Sequence, residues 1–142
     1  MGAVGLQLGH MLCSVVASPP GYAQVLSTVY GTPLLDAFEP SEVELFITIS
    51  ERPEPVEAPR DEMRVVPVSN GHTIETDPLS CRLILDRTRP TAEFYVTQPD
   101  MAPDLLAYHF WVMINRLLLL MDRTLLHAAA IDHRGAVNVF SG

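Results

Sequence analysis

Few residues in this sequence of 142 are of a type that does chemistry, and their spacing narrows them further. Five histidines and two cysteines are present, but the five do not form a metal-ligand set with either Cys13 or Cys81, so no structural zinc is expected. The two thiols are too few and too far apart for a secreted disulfide scaffold, and read as plain buried or half-buried cysteines. His133 reads as a turn residue and His109 as packed in a helix, while His10 and His72 have no clear companions. His127, between Leu126 and Ala128, has a structural reading as an imidazole satisfied by a backbone partner. Arg116 sits within an apolar run and must either snorkel outward or meet an acid from elsewhere, since Asp122 lies beyond the i+4 step. Glu42 and Glu44 read as a pair on one strand face and are most simply solvated. The sequence holds no nucleophile elbow, Cys-His arrangement or glycosidase-like carboxylate pair.

The charge balance limits the partners. All nine basic residues are arginine, against 17 acids, for a net charge of −8. An acidic surface repels phosphate backbones and anionic lipid heads, so neither nucleic acid nor membrane is an expected partner. With 48% hydrophobic and 18% charged residues the chain should fold, and its length suits one domain. The apolar stretch from Met1 to Ala17 has no basic residue in front of it, unlike a secretory signal, so a cytoplasmic location is expected.

The elements that must position these residues change in character along the chain. From Gly9 to Val29 apolar residues recur at three- and four-residue steps, broken at Pro19-Pro20-Gly21, which predicts a helix from about Tyr22 to Tyr30 ending at Gly31. Val43, Leu45, Ile47 and Ile49 alternate with Glu44, Phe46, Thr48 and Ser50 as in a strand. Arg52 to Pro59, with three prolines, reads as an exposed connection. Strands are expected over 63–68, 72–75, 82–86 and 92–97, with a hairpin turn at Ser69-Asn70-Gly71, giving a small antiparallel sheet. Asp100, Pro103 and Asp104 mark a helix start. The helix that follows, from Leu105 to Met121, is apolar nearly all round and reads as buried inside a protein rather than as a membrane span. Two further strands, around Leu125–Ile131 and Ala136–Phe140, should flank a turn at Gly135.

The last segment resembles a known family. Leu126-His127-Ala128-Ala129-Ala130-Ile131 followed by Arg134-Gly135-Ala136-Val137-Asn138-Val139-Phe140-Ser141-Gly142 is similar to the approach to the active site of HPr kinase/phosphorylase-like proteins. There a histidine-bearing strand runs through a glycine turn into a second strand that ends at the first glycine of a Walker A loop. His127 precedes Gly142 by fifteen positions, the family's separation, and Asp132 falls where the family often has an acid. The long apolar helix with Asn115-Arg116 also fits. The likeness covers Leu105 to Gly142 well and the rest only loosely.

The resemblance implies an α+β chain in two parts. Residues 1–100 would be a variable β-rich region, and residues 101–142 a long buried helix and the first strands of a P-loop, carboxykinase-like kinase core, truncated at the loop. Gly142 would be the first glycine of the nucleotide loop, Ser141 its flanking residue, and His127 a catalytic imidazole beside the transferring phosphate. The expected activity is that of an ATP-dependent protein or peptide serine kinase using ATP and Mg²⁺, a homo-oligomer in the family's pattern. This piece would be inactive by itself, because it has no lysine for the loop. The alternatives are a non-catalytic peptide-binding or scaffold domain and a P-loop kinase acting on a small metabolite.

Overall fold

The computed structural model describes residues 2–52, 63–75, 79–85 and 88–122, together with the strand backbones 128–133 and 136–141. Seven strands form one sheet: β1 (Val4–Leu8), β2 (Met11–Ala17), β3 (Val43–Glu51), β4 (Arg64–Val68), β5 (Gly71–Glu75), β6 (Leu79–Ile84) and β7 (Thr91–Val96). Their spatial order is β1-β2-β3-β7-β6-β5-β4. Helices α1 (Gly21–Tyr30) and α2 (Pro103–Leu120) share one core with the sheet, and β8 (Ala128–His133) pairs with β9 (Ala136–Ser141) in a separate two-stranded ladder. The chain is therefore α+β.

Alternation dictates the inner face. Val43, Leu45, Ile47 and Ile49 of β3 are buried at steps of two, as are Ala92, Phe94 and Val96 of β7 and Leu79, Cys81 and Leu83 of β6. Onto this face pack Tyr22, Ala23 and Leu26 of α1, and Leu106, Phe110, Met113, Ile114, Leu117 and Leu118 of α2. Burying each large side chain contributes about 1.5–3 kcal/mol. The Phe110 ring stands at the junction, 5.7 Å from the Phe94 ring and 6.5 Å from the Tyr22 ring.

Three expectations are corrected. Met11–Ala17, which has helical spacing, is a strand, paired to β1 across a two-residue turn at Gly9-His10. Gly9, with φ 64°, supplies the positive φ of a tight hairpin. One side of β2 faces the core, and its other side is covered too: Ser14 is buried opposite Gly5, where Leu35 bonds back through paired N–H···O contacts of 2.8 and 2.9 Å. A strand covered on both faces loses its polar alternation, and its period becomes unreadable.

The second correction concerns the sheet, which is mixed rather than antiparallel. The meander β4 to β7 is antiparallel as expected, but β2–β3 and β3–β7 are parallel. Helix α1 provides the crossover that parallel neighbours require. Third, α2 is buried along one stripe only. Leu105, Tyr108, Trp111 and Leu119, on the side of the helix away from the sheet, are exposed. Arg116 is exposed as well and points its charge to solvent, the first of the two outcomes expected for it.

The ends of the helices follow the sequence closely. Helix α1 stops at Gly31, and Pro103 opens α2 with Asp104 in its first turn; Ala102, not Asp100, occupies the cap. The hairpin at Ser69-Asn70 also falls where it was expected. There Gly71 is required by close packing: a Cβ would run into the carbonyl oxygen of Leu83 on the neighbouring strand. Gly71→Ala is expected to destabilise the fold by about 1–3 kcal/mol through overpacking, read as a lower urea midpoint with unchanged slope.

Candidate functional site

The hairpin that bears the family-like sequence is regular. Its ladder runs from His133↔Ala136 at the turn to Ala128↔Ser141 at the open end. His133 is thus the last ladder residue of β8 rather than part of the turn. Ser141 closes β9 opposite Ala128. His127 and Gly142, the other two candidate residues, lie outside the described residues, as does the connection 53–62.

The remaining residues singled out in the sequence do not converge. His10 is in the β1–β2 turn, His109 stacks edge-on with Tyr108 on α2, and His72 on β5 has a buried Nδ1 without a partner among the described residues. Cys13 and Cys81 are buried and not joined in a disulfide, and burial pushes the Cys81 thiol above its ordinary range. Glu42 ends a 3₁₀ turn (Pro40–Glu42) and Glu44 lies on β3, so the two do not share one strand face. Among the described residues no three His, Cys, Asp or Glu side chains are grouped to hold a metal ion. No helix among them is long and apolar enough to cross a membrane.

Two polar constellations do form. At the carboxyl end of β3, the Tyr22 hydroxyl donates to Glu51 Oε1 at 2.7 Å. The Arg52 backbone N–H reaches Val96 O at 2.8 Å, and that of Ser18 reaches Ile49 O at 2.9 Å. Burial first, and then the Glu51 carboxylate, push the Tyr22 phenol up to about 12 from its ordinary 10.0. Tyr30 and Tyr95 are raised as well, chiefly by burial. A phenol with a raised folded-state pKa holds its proton more tightly than in the unfolded chain. Its contribution is complete below pH 10 and is lost as pH climbs towards about 12. Denaturation midpoints should therefore fall between these values, and Tyr22→Phe should flatten part of that fall.

The second constellation lies on the sheet face away from the helices, built from outward positions of β4, β5, β6 and β7 and from Arg52, just past the end of β3. The Arg52 guanidinium lies 4.1 Å from the centre of the Tyr95 ring. The Tyr95 hydroxyl donates to Glu93 Oε2 at 2.8 Å, and Arg64 Nε donates to Glu75 Oε2 at 2.9 Å. Sequence reasoning passed over this group, because its members come from β4, β5, β6, β7 and the residue after β3. The usable signal was alternation: Ser80 and Arg82, like Glu93 and Tyr95, occupy the outward steps between buried residues.

No family model, curated protein or solved structure matches this chain.

Proposed function

We propose that the chain is the front part of an ATP-dependent protein or peptide serine kinase of the HPr kinase/phosphorylase type. The observation that supports the reading is the β8–β9 ladder, whose final rung pairs Ala128 with Ser141, the sequence neighbours of His127 and Gly142. A phosphate loop needs a base of paired strands from which its backbone N–H groups are aimed. The family-like sequence supplies such strands at this point.

ATP with Mg²⁺ would supply the transferable phosphoryl group. The residues present fit that group in part. Gly142 would allow the backbone to approach a phosphate, and the His127 imidazole would donate a hydrogen bond or share a proton there. No lysine exists in the sequence to hold the phosphates, so this chain by itself is not expected to bind the nucleotide tightly or to transfer phosphate. The lysine, the Mg²⁺-holding Ser or Thr and the acid that activates the acceptor hydroxyl would all belong to the parent protein. A cytoplasmic, homo-oligomeric enzyme is part of the same proposal.

One observation favours a second reading, a non-catalytic peptide-binding or scaffold domain: the exposed Leu105, Tyr108, Trp111 and Leu119 along α2. The parent reading frame separates the two. The kinase requires Gly-Lys-Ser or Gly-Lys-Thr within about eight positions after Gly142. Without that motif the kinase reading is lost. With it, ATP should raise the melting temperature of the full-length protein, and replacing the loop lysine should remove that rise. Offering a seryl peptide and a small hydroxylated metabolite in parallel then distinguishes the class of acceptor.

A further inference from the structure

The outward face of the sheet gathers arginines, and among the described residues its two acids pair with Arg64 and Tyr95 rather than with Arg52 or Arg82. In an acidic chain, Arg52, Arg64 and Arg82 come to this one face, and among the described residues the ion pair on it is that of Arg64 with Glu75. Strand register places Arg82 directly opposite Glu93 and Ser80 directly opposite Tyr95. Opposed charges at such a cross-strand position ordinarily pair. Here the Glu93 carboxylate instead accepts from the Tyr95 hydroxyl, and among the described residues no carboxylate lies within ion-pair distance of the Arg82 guanidinium.

Arg52 approaches the same ring from the end of β3, with its guanidinium over the Tyr95 ring. A guanidinium held over an aromatic face keeps its edge N–H groups available to a second partner. Both arginines act on the Tyr95 phenol, offsetting part of the rise caused by burial and by Glu93. Between them lies a shallow hollow of about 200 Å³ lined by Arg52, Thr73, Glu75, Ser80, Arg82 and Tyr95. Of the neighbouring acids among the described residues, Glu75 is bonded to Arg64 and Glu93 to Tyr95.

We propose that this hollow is an oxyanion site, in which the guanidinium groups of Arg52 and Arg82, with the Ser80 hydroxyl, receive a phosphate monoester or a carboxylate. The planar fork of an arginine matches both groups, and an anion in a hollow that two arginines line offsets the repulsion between their like charges. The remaining acids of the chain oppose binding at long range, so the site selects ligands that reach its donors directly and gains little from steering. This site is separate from the β8–β9 hairpin and stands whether or not the kinase reading holds.

The test is an NMR titration of arginine Nε–Hε signals in the full chain with phenyl phosphate, benzoate and sodium chloride, at constant ionic strength. Saturable shifts at Arg52 and Arg82 with either oxyanion, absent with chloride, are expected. Tighter binding of phenyl phosphate assigns a phosphate ester, and tighter binding of benzoate a carboxylate. Arg82→Gln should weaken binding about tenfold, the loss expected for one charge-assisted contact, and Arg52→Gln should do likewise. Shifts that grow linearly and equally with all three salts would overturn the proposal. So would wild-type affinity in both folded variants.

Discussion

Phe110→Ala is expected to cost the fold about 3–5 kcal/mol, the usual range for removing a wholly buried aromatic ring. Phe110 has no exposed surface, and its ring bridges β7 through Phe94 and α1 through Tyr22. Its loss leaves a void where three elements meet, and neither neighbouring ring can move in without giving up its own contacts. Against a total stability of about 5–15 kcal/mol, this is a large share. The melting temperature should drop by roughly 10 °C or more, followed by circular dichroism or by fluorescence of Trp111, the single tryptophan. Leu105→Ala on the same helix, at 56% exposure, should stay within about 0.5 kcal/mol of the wild type. Equal losses in the two variants would mean that α2 buries a different side.

His127→Ala, made in the full-length parent, is expected to lower the phosphotransfer rate by about 10²–10⁴-fold, the contribution typical of a positioned proton-transfer group. The loss should fall on kcat, with KM for the peptide little changed, because the imidazole is assigned to the transferring group and not to the acceptor's remote contacts. The limb of the pH–rate profile imposed by a titrating imidazole should vanish with it. His127→Gln, which keeps a hydrogen-bond donor, should recover part of the rate if the imidazole only donates, and none if it shares a proton. Full activity in the alanine variant would return His127 to its structural reading, an imidazole satisfied by a backbone partner.

How legible the molecule is from its sequence depends on how local each feature is. Strand β3 could be read because Glu44, Thr48 and Ser50 mark its outer side between buried residues. Strand β2 could not, because cover on both faces removed the polar half of the code. Pro103, Asp104 and Gly31 fixed helix ends through backbone chemistry that is nearly independent of tertiary context. The half-exposure of α2 had no such marker: Leu105, Tyr108, Trp111 and Leu119 are as apolar as the residues it buries. Pairing order is non-local, and so the parallel joints of β3 were invisible while the β4–β7 meander was plain. Of the candidate site, the strands were anticipated and Ser141 ends the last rung, whereas His127 and Gly142 lie outside the described residues. The arginine face was missed for the same reason as the strand order, since only the register brings Arg82 and Ser80 alongside Glu93 and Tyr95.

The position of β3 between β2 and β7 has a consequence for how the molecule comes apart. On one side of it stands a βαβ unit wired through α1, and on the other a meander closed by short turns. The β3–β7 ladder joins segments distant in the chain, with Phe46 opposite Thr91 at one end and Glu51 opposite Val96 at the other. Separating them releases much chain entropy, while the hairpins on the meander side can fray singly without disturbing that seam. Amide protons of β3 and β7 should therefore exchange with solvent only through whole-molecule opening, and those of the edge strand β4 through small local excursions. The seam is the molecule's zipper, and its protection measures the stability of the whole.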